Sequence, residues 1–81
     1  MSDVFSLNGV SLPDLIRVKL ANHLARLGRV TDVRALELAL ERAEGFVEGL
    51  QAARALTPAT IEALFIAVDV AANMRREALT Q

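Results

Sequence analysis

The sequence predicts an all-α protein of three helices with a long central helix, completed by dimerisation into a helical bundle and preceded by a short extended N-terminal arm. Two observations carry this expectation. Apolar residues recur three and four positions apart in three successive blocks, which is the period of one helix face. Each block follows a helix-start signal: Ser11 with Pro13 and Asp14, then Thr31-Asp32, then Leu56-Thr57-Pro58. With 81 residues there is room for one domain, read as an arm over 1–12 and a helical domain over 13–81.

The arm contains Asn8-Gly9, the pair favoured in type I′ hairpins because both central positions need positive φ. A lone hairpin is marginal in water, so an arm that lays Val4, Phe5 and Leu7 on the helices is the preferred reading, with a short hairpin as the alternative. Ser11 is also wanted downstream. It forms an S-x-x-D capping pattern with Asp14, and Pro13 in the first turn loses nothing by lacking an N–H.

The first helix is expected from Pro13 to Leu27, ending at Gly28 as a left-handed C-cap. Ile16, Leu20, Leu24 and Leu27 make one apolar stripe, and Val18, Ala21 and Ala25 a second and smaller one. The second helix, capped by Thr31 or Asp32, is expected to run to Ala55 and to be too long for a compact three-helix globule. Val33, Leu36, Leu40, Ala43, Val47 and Leu50 follow the a/d spacing of a coiled-coil seam, widened by Ala39, Phe46 and Ala53, and this seam is the expected protein interface. The third helix starts with Thr57 as N-cap and Pro58 at its first position, and runs to about Leu79. It is apolar on nearly all sides, which suggests a central position.

Composition narrows the function classes. Apolar residues make up 53% of the chain, and counting the four glycines the fraction is about 58%, against roughly 45–50% in typical soluble proteins. So short a chain buries only about 60–65% of its unfolded surface, so part of this excess must stay exposed or meet another chain. There is no Trp or Tyr to build a base-stacking platform, and the net charge of -1 lacks the basic excess of a phosphate binder. Without cysteine there is no disulfide, thiolate nucleophile or thiolate metal ligand. Met1-Ser2-Asp3 does not open a secretory signal, which makes the cytoplasm the expected compartment. The most apolar segment, Ala63 to Met74, is interrupted by Asp69 and Asn73 and is too short for a membrane span.

Candidate chemistry is sparse. His23, the single histidine, has no carboxylate three or four positions away on its helix to orient it, and neither Ser6 nor Ser11 sits in a nucleophile elbow. No catalytic residue, metal ligand or cofactor is therefore expected. Glu37, Glu41, Glu44 and Glu48 form an acidic line along the second helix, chiefly a solvated face and also a possible dock for basic residues of a partner. A di-iron reading fails for want of any Glu-x-x-His. Gly45 and Gly49 stand one turn apart in the same helix, where each costs about 1 kcal/mol relative to alanine. That cost is explained equally by close approach of another helix or by a kink.

The function expected from the residues is a small non-enzymatic protein–protein interaction module: an adaptor, chaperone-like stabiliser, anti-activator or inhibitor. It would form a homodimer or bind another protein through Val33, Leu36, Leu40, Ala43, Phe46, Val47 and Leu50, with Gly45 and Gly49. The alternative is a small helical nucleic-acid-binding transcriptional regulator. It is disfavoured because Thr57 to Leu64, the candidate recognition segment, has no Arg, Lys, Asn or Gln to reach base edges.

Overall fold

A computed structural model of the chain describes residues 11–81; the arm or hairpin expected before Ser11 lies outside the described residues. Three helices follow in order: α1 (Asp14–Arg29), α2 (Val33–Ala52) and α3 (Pro58–Leu79). The described residues contain no strand.

The entry to α1 differs from the expected capping box. Pro13 itself is the N-cap, with φ -56 and ψ 146, and no side chain caps the helix. Ser11 stands two residues before this N-cap, and Asp14 instead accepts from Arg17 one turn on, at 3.0 Å. The exit differs too. Gly28 stays helical, α1 continues through Arg29, and the chain leaves in an extended conformation at Val30 rather than through a left-handed glycine. Arg26 and Arg29 in the last turn complement the partial negative charge of that helix end.

At α2 the choice of cap falls on Asp32, whose carboxylate accepts from the Ala35 amide at 2.7 Å. The helix is continuous through Gly45 and Gly49 and ends at Ala52, short of the expected Ala55. What stops it is a Schellman turn: the Arg54 amide donates to the Gln51 carbonyl at 3.1 Å and the Ala55 amide to the Leu50 carbonyl at 3.0 Å. Arg54 takes the left-handed position, φ 55, that glycine usually fills. At α3 the expected start is formed, with the Thr57 hydroxyl accepting from the Thr60 amide at 3.2 Å and Pro58 opening the helix.

Connections of three and five residues alternate the helix directions, so α1 and α3 run parallel and α2 antiparallel to both. Arg75 near the end of α3 confirms this by donating its Nε–H to the Val30 carbonyl just past the end of α1, at 2.8 Å. The core is one cluster made of a stripe from each helix: Leu20 and Leu27; Leu36, Ala39, Ala43 and Val47; Ile61, Leu64, Val68 and Ala72. Leu12, Leu24, Val30, Leu40, Phe46, Leu50, Leu56 and Phe65 pack against its margin. Burial of each large aliphatic side chain contributes about 1.5–3 kcal/mol, and no polar side chain among the described residues is buried in competition.

Two expectations about helix length and position are corrected here. At 20 residues α2 is shorter than α3 at 22, and its Leu36, Ala39, Ala43 and Val47 pack into the chain's own core. Nor is α3 enclosed. In a three-helix bundle every helix touches two others and keeps an outer side, and that of α3 carries Ile66, Val70 and Met74 in the open.

Candidate interaction surface

The seam expected to meet a partner is spent inside the chain. Leu36, Ala43 and Val47 are fully buried between α2 and its neighbours, leaving none of these side chains for a second molecule. Leu40, Phe46 and Leu50 are half-buried against the same core, and of the widened seam Val33 and Ala53 are exposed. An a/d repeat demands a facing helix, and here α1 and α3 supply it. Gly45 and Gly49 face outward on α2, and a methyl group added at either would meet no atom within 4 Å. Neither a close helix contact within the chain nor a helix break explains them.

Glu37, Glu41 and Glu48 are exposed and Glu44 half-buried, as a solvated acidic line requires. No group of carboxylates and histidines among the described residues is placed to hold a metal ion. His23 lies tilted over Phe46 with ring centroids 5.1 Å apart, and its pKa is lowered by burial first and then by the charges of Arg26 and Lys19. It packs as a half-buried aromatic between α1 and α2. An open pocket at the α2–α3 turn is lined by Gln51, Arg54, Leu56, Pro58 and Ile61, with no nucleophile, acid or base among them.

Exposed apolar side chains stand on all three helices: α2 shows Val33 and Leu38, and α1 and α3 show the larger set. Leu15 is 69% exposed, Val18 47%, Ile66 54%, Val70 51% and Met74 67%. Side chains step by about 100° per residue around a helix, which places these relative to the neighbouring helices. His23 touches Phe46 and so marks the α2 side of α1. Going round α1 past the buried Leu20 and the half-buried Leu24, one reaches Ala21, Ala25 and Val18 on the side toward α3. Followed through an up-down-up bundle, the same rotation sets Ala63, Ala67, Val70 and Met74 on the flank of α3 toward α1. The half-burial of Ala21, Ala63 and Ala67 agrees with positions beside a helix–helix groove. The two strips therefore border one groove and form a continuous apolar face, with Leu15 and Ile66 at its margins.

The charged rows lie off this face: Lys19 and Arg26 stand on the His23 side of α1, toward α2, and Glu62 and Asp69 on the flank of α3 away from Ala67 and Met74, with Arg29 and Glu77 on the outer sides, all exposed. The single ion pair among the described residues is Arg17–Asp14, so these six charges have no partner within the described residues. The sequence held the signal for the α1 half of this face in the second strip of Val18, Ala21 and Ala25. For α3 the apolar residues ran all round the helix, and periodicity did not separate the inner from the outer set. No helix among the described residues is long and apolar enough to cross a membrane. Compared with models of protein families, with curated proteins and with solved structures, the chain has no match.

Proposed function

We propose that the protein is a small non-enzymatic protein–protein interaction module, of adaptor, chaperone-like, anti-activator or inhibitor type, that binds through the apolar face shared by α1 and α3. One observation carries the reading: Val18, Val70 and Met74 stand exposed beside the groove between α1 and α3, with Ile66 at its margin. Contiguous apolar patches rimmed by charge mark association surfaces more often than they occur by chance. The test is Val70→Asp, which changes an exposed residue and leaves the core intact. A partner co-purified with the wild type, identified and then purified, should bind the wild type and lose affinity for the variant at unchanged helicity. Equal binding by both proteins would remove this face from the mechanism.

The exposed row of Lys19, Arg26 and Arg29 favours a second reading, a nucleic-acid-binding regulator that lays α1 on phosphates. The acidic row of the adjacent helix and the net charge of -1 oppose it. Titration of duplex DNA at several salt concentrations separates the two readings, since only phosphate binding weakens steeply with salt.

A further inference from the structure

We infer that the open pocket at the α2–α3 turn is the seat of the chain's own N-terminal segment, which lays Phe5 in the pocket and sets Asp3 beside Arg54. The segment, residues 1–10, stands outside the described residues, and the pocket encloses about 400 Å³ between Gln51, Arg54, Leu56, Pro58 and Ile61. Position, reach and chemistry bring the two together.

Position follows from the topology. Arg75 near the end of α3 bonds the Val30 carbonyl just past the end of α1, so those two ends share one pole of the bundle. The starts of α1 and α3 share the other pole, and the α2–α3 turn is there with them. Leu12, before α1, and Leu56, in the turn, both pack on the margin of the same core. Neighbouring helix axes lie about 8–10 Å apart, so the pocket opens about one helix spacing from where the chain enters α1. The seven residues from Phe5 to Leu12 span at most about 23–25 Å, which reaches the pocket with slack. The far pole, about 24 Å away along the 16 residues of α1, lies at the limit of that span.

The chemistry of the pocket matches the segment. Ile61 is buried and Leu56 half-buried, which makes an apolar floor, and Arg54 stands exposed beside them. Arg54 makes no ion pair with any described residue. It is also the single non-glycine residue among them with positive φ, 55, at a helix end where glycine is the usual occupant. A strained backbone kept by a residue whose guanidinium lines a pocket marks a side chain with a use. Residues 1–10 supply the counterpart: one aromatic ring, Phe5, and one charged side chain, Asp3. Residues two apart in an extended chain point to the same side, so Asp3 accompanies Phe5 to the same surface. The two other Phe residues of the chain, Phe46 and Phe65, already pack on the core margin. The α1–α3 face is the competing surface within reach, and the cation at that end of α1, Arg17, is already paired with Asp14.

The experiment uses fluorescence of the full chain. With no native Trp or Tyr, Phe5→Trp places a single fluorophore in the segment. Its emission should be blue-shifted and its quenching by acrylamide severalfold weaker than that of free tryptophan, both independent of protein concentration. Pro58→Asp in this background replaces an exposed pocket residue at the start of α3, where an acidic side chain suits the helix end, by a charge that wets the pocket and repels Asp3. Helicity by circular dichroism should hold, the emission should move to the red and quenching should rise severalfold. Val70→Asp should leave both as in the parent. Because an indole is larger than the ring it replaces, the chain that keeps Phe5 gives a second reading: Pro58→Asp should shift the Phe5 and Leu7 amide resonances, and Val70→Asp should not. An indole as exposed as free tryptophan, with Phe5 and Leu7 resonances indifferent to Pro58→Asp, overturns the proposal. Release by Val70→Asp and not by Pro58→Asp moves the segment to the α1–α3 face and overturns the pocket as its seat. Burial that disappears on dilution places the segment on a second copy and overturns the contact within one chain.

Discussion

Replacing Gly45 and Gly49 by alanine probes the outer face of α2 with the smallest possible change. Both glycines lie inside a continuous helix, both are exposed, and an added Cβ at either meets open space. The cost of glycine at such positions is then propensity alone, about 1 kcal/mol each relative to alanine. The sites are four residues apart on one face but the methyl groups share no partner, so the double variant should gain about 2 kcal/mol. In a domain of this size each kcal/mol moves the midpoint by about 4–8 °C, which makes the expected rise roughly 8–16 °C. Thermal unfolding followed by far-UV circular dichroism reads it, and sedimentation of the same samples should show association unchanged. A lower midpoint for either single variant, or weakened association in the double, would mean that another backbone packs closely on α2. The reasoning from open space would then be refuted.

Arg54→Gly should stabilise the protein by about 0.5–1 kcal/mol, because relief of the left-handed conformation exceeds the entropy that glycine adds to the unfolded chain; a lower denaturant midpoint would contradict this. Leu36→Ala empties a fully buried position and should cost about 2–5 kcal/mol, a large share of the total stability of so small a domain, read as loss of a cooperative unfolding transition near room temperature. His23 has a folded-state pKa below its ordinary value of 6.5, so folding favours the neutral ring. The stability this gives is present above 6.5 and is lost as the pH falls through the folded pKa. Denaturation midpoints should therefore decline from about pH 7 toward about pH 5 in the wild type, with a shallower decline in His23→Gln, and equal slopes would deny His23 that role.

The fold was largely legible in the residues because local signals and burial agreed. Thr57-Pro58 predicted the start of α3, and the 3–4 spacing contained the eventual core from Leu20 to Ala72. Two helix C-termini were misread for opposite reasons. Gly28 carries the residue type of a C-cap without the left-handed backbone, and Arg54 carries the backbone without the residue type. The binding surface was less legible, since a heptad repeat specifies a facing helix but not whose helix it is. For Leu36, Ala43 and Val47 the facing helices are the chain's own, which spends that stripe of α2 on the core. The surface proposed for association is the outer strips of α1 and α3, where small residues such as Ala21 and Ala67 gave a weak apolar signal.

The hydrogen bond from Arg75 to the Val30 carbonyl is the single side-chain hydrogen bond among the described residues that joins parts of the chain distant in sequence, 45 positions apart. Every other described side-chain hydrogen bond spans three or four residues. Aliphatic stripes of Leu, Val and Ala are nearly equivalent after a shift of one turn, so they resist separation of the helices much better than sliding. Arg75 is thus the latch that sets how far α3 is pushed along the other two. Removing it should cost little in melting temperature but should broaden amide resonances along α3 as the helix samples neighbouring turns.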